Sequence, residues 1–175
     1  MGVKQEERRE RILALLEEAE EPITGSTLSS LFGVTRQVIV GDVAVLRAQG
    51  AGIIATPQGY LLPKAAARAA HRSRVAVRHG AENAELAREL NLIVDLGGTV
   101  VDVSVEHPLY GELTANLQLS SRQDVQRFIE KMQELQGEPL LVLTGGYHLH
   151  TIDAPNQEVM EEIRAALRRA GYLVE

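Results

Sequence analysis

The sequence predicts an α+β chain in two parts, residues 1–63 and 64–175, and three observations predict it. Apolar side chains recur at helical spacing over residues 4–48, interrupted twice by glycine-containing turns. Two short β-type runs then flank Pro57-Gln58-Gly59. From Val75 onward the apolar period switches back and forth between strand and helix spacing, the mark of helices layered on a largely antiparallel sheet.

In the first part, residues 4–20 form a helix with Ile12, Leu13, Leu15 and Leu16 as its apolar stripe and Glu6, Glu7, Arg8, Arg9 and Glu10 as its solvated face. Pro22 and Gly25 end it. A short helix over Ser26–Phe32 turns Leu28, Leu31 and Phe32 inward and stops at Gly33. The Thr35 hydroxyl caps a third helix that runs to about Arg47 or Ala48 and buries Val38, Val43 and Leu46. Gly41 stands inside that helix, where glycine costs about 1 kcal/mol relative to alanine. Helix, glycine turn and capped helix make a helix-turn-helix, and the hairpin with Gln58 near its tip makes the wing of a winged helix. That pattern points to DNA.

Between Lys64 and Arg78 the composition is basic and alanine-rich with no acidic residue, read as a solvated helical linker over about 63–71 followed by a strand through Val75 and Val77 to His79. Glu82–Asp95 is a helix with Leu86, Leu90, Ile93 and Val94 inward. Thr99–Glu106 alternates as a strand with Val101, Val103 and Val105 on one face; it turns at His107–Gly111 and returns over Glu112–Leu119. Ser121 opens a helix to about Leu135 that turns Val125, Phe128, Ile129 and Met132 to the core. Pro139–Thr144 and Tyr147–Ile152 read as extended, Gln157–Ala170 as the last helix, and Tyr172–Val174 as a closing strand. The whole is an N-terminal winged helix-turn-helix domain followed by an α+β regulatory domain.

Composition narrows the chemistry. The chain is 45% apolar but only 3% aromatic, so its cores are aliphatic. It has no cysteine, which removes disulfides, thiolate ligands and a thiol nucleophile and fits a reducing cytoplasm. No run is long enough for a membrane span and the N-terminus is charged, so neither a signal peptide nor a membrane partner is expected. A net charge of −6 disfavours polyanion binding over the whole surface and leaves room for a local basic patch.

The most informative stretch is Gly145-Gly146-Tyr147-His148-Leu149-His150. On a strand, His148 and His150 share a face and lie roughly 7 Å apart along the chain, close enough to share a metal ion. Without thiolates, the remaining ligands must be imidazoles and carboxylates. His79, at the end of its strand, is the best third histidine, and Glu82, Glu85 and Glu89 share one face of the following helix. Such a set suits zinc, nickel or iron. At the DNA end, Arg36 is placed to pair with guanine and Gln37 with adenine, while Ser26, Thr27 and Thr35 hold phosphates. His107 either donates to an effector or pins its hairpin, and His71 is surface.

Specific segments resemble a known family. Thr35-Arg36-Gln37-Val38-Ile39-Val40, Leu46-Arg47-Ala48, Ala55-Thr56-Pro57 and Gly59-Tyr60 resemble the head of the niacin-responsive transcriptional repressors. Val105-Glu106-His107-Pro108-Leu109-Tyr110-Gly111 and Leu143-Thr144-Gly145-Gly146-Tyr147-His148-Leu149-His150-Thr151 resemble that family's three-histidine domain. The resemblance spans nearly the whole chain. It implies a repressor of NAD biosynthesis or niacin uptake genes rather than an enzyme, cytoplasmic and homodimeric, that binds operator DNA with nicotinic acid as co-repressor and a divalent transition metal, nickel or zinc. It selects His79, Glu89, His148 and His150 as metal ligands, with Glu85 the rival to Glu89 because the interval from His79 is about two residues longer than the family's. His107, Tyr110 and Tyr147 are then the residues to meet the effector. The competing readings are the same architecture answering to another small molecule or to the metal itself, and a metal-dependent hydrolase with Glu106 as its base.

Overall fold

The computed structural model describes residues 5–63 and 71–175. The chain divides into two compact units, Met1–Ala66 and Ala67–Glu175. The first unit holds α1 (Gln5–Glu18), α2 (Gly25–Phe32), α3 (Arg36–Ala48) and the hairpin β1 (Ile54–Thr56) and β2 (Gly59–Leu61). Both later helices start as their sequences require: the Thr24 hydroxyl accepts the Thr27 N–H, and the Thr35 hydroxyl accepts the Val38 N–H. Gly33, at φ 64°, closes α2 in the left-handed conformation that glycine adopts without strain.

The core of this unit is Ile12, Leu16, Leu28, Phe32, Ile39, Val43, Leu46 and Ile53. Two expected core residues face water instead, Leu31 at 56% exposure and Val38 at 37%. On α3 the buried stripe runs Ile39, Val43, Leu46, a spacing of four and three residues that keeps one face; Val38 stands about 100° off it. The hairpin turns through Pro57-Gln58, pairs Thr56 with Gly59, and gains a third segment where Ile23 and Tyr60 exchange both backbone hydrogen bonds at 2.8 Å. Gly59 allows this approach, since a Cβ there would lie 2.6 Å from the Ile23 carbonyl.

The second unit holds β3 (His71–Arg78), α4 (Asn83–Asp95), β4 (Thr99–His107), β5 (Gly111–Leu119), α5 (Arg122–Glu134), a 3-10 turn (Leu140–Thr144), β6 (Tyr147–Ala154) and α6 (Gln157–Arg169). Its sheet has the order β3-β6-β4-β5, every neighbouring pair antiparallel. Leu90, Ile93, Val125, Met160, Ile163 and Leu167 from the helices meet Val75, Val77, Val100, Leu117, Leu119 and Ile152 from the strands in one aliphatic core. Among the described residues no single helix is long and apolar enough to cross a membrane.

Several expectations need correction. The alternation of Val101, Val103 and Val105 is broken by a register shift between Val100 and Asp102, which buries Val100 and Val101 together and leaves Val103 half-buried. Residues 140–144 are a 3-10 turn rather than a strand; Gly145 and Gly146 follow at φ 62° and 99° and lead the chain into β6. A short apolar run does not distinguish these states by its period. The closing strand reduces to a single bridge between Leu173 and Val77, flanked by bonds from Arg78 N–H to the Tyr172 carbonyl and from Val174 N–H to the Ala76 carbonyl. The linker helix falls on residues outside the described ones, except that His71 already belongs to β3.

Candidate functional site

In β6 the alternation of an extended chain turns His148 and His150 to one side, and the register places them opposite Val77 and Val75 of β3. β3 ends at Arg78, so His79 emerges beside them. Gly146 lets the two segments meet, because a Cβ there would lie 2.4 Å from the His79 carbonyl oxygen. From α4 comes Glu89, with none of its surface in water. Its Oε2 lies 2.7 Å from His79 Nε2 and 3.4 Å from His148 Nε2, and its Oε1 lies 3.3 Å from His150 Nε2. His148 sits between the other two rings, its centroid 5.0 Å from that of His79 and 4.9 Å from that of His150. Ligand atoms of His79, Glu89 and His148 all lie within 4.8 Å of one another, and His150 extends the group along the carboxylate. Glu85 turns elsewhere and accepts the Gly80 N–H at 2.7 Å, shaping the loop after His79.

The second nitrogen of each ring decides what the first can do. His79, His148 and His150 Nδ1 lie 2.7, 2.9 and 2.8 Å from the carbonyls of Gly80, Gly146 and Asp102. A carbonyl oxygen only accepts, so each Nδ1 carries a hydrogen, and in the neutral ring each Nε2 presents a bare lone pair. Three lone pairs then converge on a carboxylate whose buried Oε1 has only His150 Nε2 near it, at 3.3 Å. Such an arrangement calls for a cation or for protons between the groups. The titration behaviour agrees. Burial pushes the Glu89 carboxyl up, but the charge on His150 and the hydrogen bonds of His148, His150 and His79 outweigh it and hold the group well below the usual carboxylate range. Burial pushes His79 and His150 down, yet the Glu89 carboxylate and the backbone carbonyls leave both raised. The donor set of imidazoles and one carboxylate fits a divalent transition metal, and the Nδ1 bonds are the outer partners that orient metal-ligating histidines.

A cleft of about 490 Å³ is lined by Glu106, Pro108, Thr144, Tyr147, His148 and Leu149; Tyr147 and Leu149 alternate with His148 and His150 along β6, so their side chains stand on the other side of the strand from the cluster. Of the three residues expected to meet an effector, Tyr147 lines this cleft, with the Arg78 guanidinium 4.8 Å over its ring. His107 Nδ1 instead accepts the N–H groups of Leu109 and Tyr110 at 3.2 and 3.4 Å, and its ring packs beside that of Tyr110, so these two shape the hairpin tip.

In the first unit, Arg36 opens α3 and lies over Gly25: a Cβ on that glycine would come 3.3 Å from Arg36 Nε and 3.6 Å from the Tyr60 ring. Gln37 and Ser26 are exposed, the Thr27 hydroxyl pairs with that of Thr24 at 2.8 Å, and Thr35 is engaged as the cap of α3. Sequence reasoning missed Asp42, which is buried at the middle of α3 and accepts from Arg8 Nε at 2.6 Å and Arg9 Nε at 3.0 Å on α1. The available signal was an acid at a core-facing position of a helix with two arginines on a neighbouring one.

Comparison with known proteins matches residues 8–61 to an HTH domain and residues 72–175 to a 3H domain. The chain is 44% identical over 175 residues to a probable transcription repressor NiaR of Thermotoga maritima, covering 100% of this chain and 98% of that protein. It is 43% identical over 169 residues to the transcription repressor NadR of Bacillus subtilis, covering 95% and 93% of the two chains. These relatives are repressors, not enzymes, and the hydrolase reading falls with them. The protein belongs to the NiaR/NadR family of transcription repressors, in which a helix-turn-helix domain precedes a 3H domain.

Proposed function

We propose that this repressor acts in the cytoplasm on genes of NAD synthesis or niacin uptake, with nicotinic acid as co-repressor and nickel or zinc held by His79, Glu89, His148 and His150. The observation that carries the metal reading is the convergence of three Nε2 lone pairs on one buried carboxylate. A metal there supplies a fixed positive charge. The chain's own residues do the rest: Nδ1 bonds hold the rings, and the cleft lined by Tyr147, on the other side of β6, offers that ring for stacking an aromatic effector. Tyr110 and His107 border the effector's approach from the hairpin tip rather than line the cleft.

At the other end, Arg36 and Gln37 read guanine and adenine while Ser26, Thr27 and Thr35 hold phosphates. Two copies bind half-sites one helical turn or a multiple apart, roughly 34 Å per turn, and the effector favours the arrangement of copies that matches that spacing. It shifts the balance only by its difference in affinity between arrangements. A gel shift on the promoter DNA of the cell's own niacin genes tests this, with nicotinate, NAD, nickel and zinc added separately. Nicotinate together with metal should tighten binding at least tenfold. Equal retardation with and without nicotinate removes the co-repressor, and a response to metal alone favours a metal sensor.

A further inference from the structure

The outward face of α3 departs from an ordinary solvated helix. Arg36, Val40, Ala44 and Arg47 follow one another at intervals of four, four and three residues, so they form one stripe, and all are exposed. Its two ends are cationic and its middle is apolar, with Val40 keeping 37% of its surface in water. Gly41 lies beside that middle, and nothing stands within 4 Å of where its Cβ would be. Neither packing nor a left-handed backbone therefore asks for glycine there. A helix former would stabilise α3 at this position, so the missing side chain serves something outside the fold.

We propose that this stripe reads thymine: Val40 and Ala44 meet the C5-methyl groups of thymines, and Gly41 lets α3 settle close to the floor of the major groove. The methyl is the apolar feature that the groove offers, and it is unique to thymine among the unmodified bases. Residues 40 and 44 stand about 6 Å apart along the helix axis, roughly two base steps. The half-site therefore carries a T·A-rich core, bounded by the bases that Arg36 and Gln37 contact. The inference rests on DNA binding by the helix-turn-helix domain. A second protein copy is the competing occupant of an apolar stripe, but the arginines at both ends suit a polyanion.

The test selects bound duplexes from a randomised library with the full chain, nicotinate and zinc present. Each thymine of the selected duplex is then replaced by deoxyuridine, which removes the methyl and nothing else. Two or more positions in each half-site should weaken binding about fourfold each on replacement, the equivalent of one buried methyl. Val40→Ala should abolish the loss at one of them. Gly41→Ala should raise the thermal midpoint while weakening binding to the selected duplex. If no duplex is enriched, DNA reading by this domain falls as a whole. If a duplex is enriched yet every uracil stays within twofold, methyl reading alone is overturned. A Val40→Ala protein that changes its mass in solution but keeps its uracil sensitivity assigns the stripe to self-association instead, and Gly41→Ala binding as tightly as wild type overturns the close approach.

Discussion

Glu89 occupies a position where a leucine would have packed well: it shares the buried face of α4 with Leu86, Leu90 and Ile93. A carboxylate with none of its surface in water is retained only if something compensates its charge. Here the compensation has to come from a cation or from protons held between the carboxylate and three imidazoles whose outer nitrogens are fixed by backbone carbonyls. Glu89→Gln keeps the shape and removes the charge. Zinc or nickel affinity measured by calorimetry should fall by about 100-fold, the upper end of what losing even a supporting group around a metal costs, while circular dichroism stays native. Unchanged affinity would place the metal elsewhere. The His148/His150 pair was legible because a strand's two-residue period is visible in the sequence itself. The choice of Glu89 over Glu85 came only through the family resemblance and not from spacing, since both sit on the same helix face and the loop at Gly80 decides which one turns to the histidines.

At the scale of elements, the three helices of the first unit were legible from stripes and caps; besides the outward Leu31 and Val38, the departure is the charge inside, where Arg8, expected on the solvated face, is buried. Asp42 joins α3 to α1 through Arg8 and Arg9, with the Arg8 and Asp42 side chains 10% and 1% exposed. A periodicity reading ranks residues by apolarity, so it assigned Val38 to the core and overlooked Asp42. Buried ion pairs of this kind add little over a well-packed apolar replacement but are costly to break from one side. Asp42→Ala should therefore lose about 3–5 kcal/mol in denaturant unfolding of this unit, because two guanidinium groups remain without their acceptor. Replacing Arg8, Arg9 and Asp42 together with aliphatic residues should cost far less. If the single and triple variants unfold at the same denaturant concentration, the pairing contributes no such asymmetry. The misread elements of the second unit share another cause. The register shift in β4 and the 3-10 turn before β6 depend on contacts from neighbouring strands, and a local pattern carries no trace of them.

For the whole molecule, the two units keep separate aliphatic cores with no residue in common among the described residues, and the histidine cluster belongs to the second unit. A metal bound at that cluster, as proposed, should therefore stabilise one unit by mass action, by about 2.7 kcal/mol at a hundredfold excess over its dissociation constant. For a unit of this size that raises a melting midpoint by roughly 10 °C. The pH dependence follows from the direction of each shift. His79 and His150 are raised, so the metal-free cluster is fully stabilised by them below the ordinary imidazole value and loses that contribution as pH rises through their raised values. Glu89 is lowered, so its contribution is present above the ordinary carboxylate value and is lost only as pH falls toward its depressed one. A metal held by these nitrogens would compete with the same protons, so its affinity should rise with pH. Between about pH 6 and 8 the metal-free midpoint should thus fall while the affinity climbs, and the gap between chelated and loaded protein should widen. Calorimetric scans in chelator and in zinc read both quantities, with the transition of the first unit as an internal control. A gap that narrows toward pH 8 would mean that protons and metal do not share these nitrogens, and a control transition that moves with the metal would mean that the two cores melt as one.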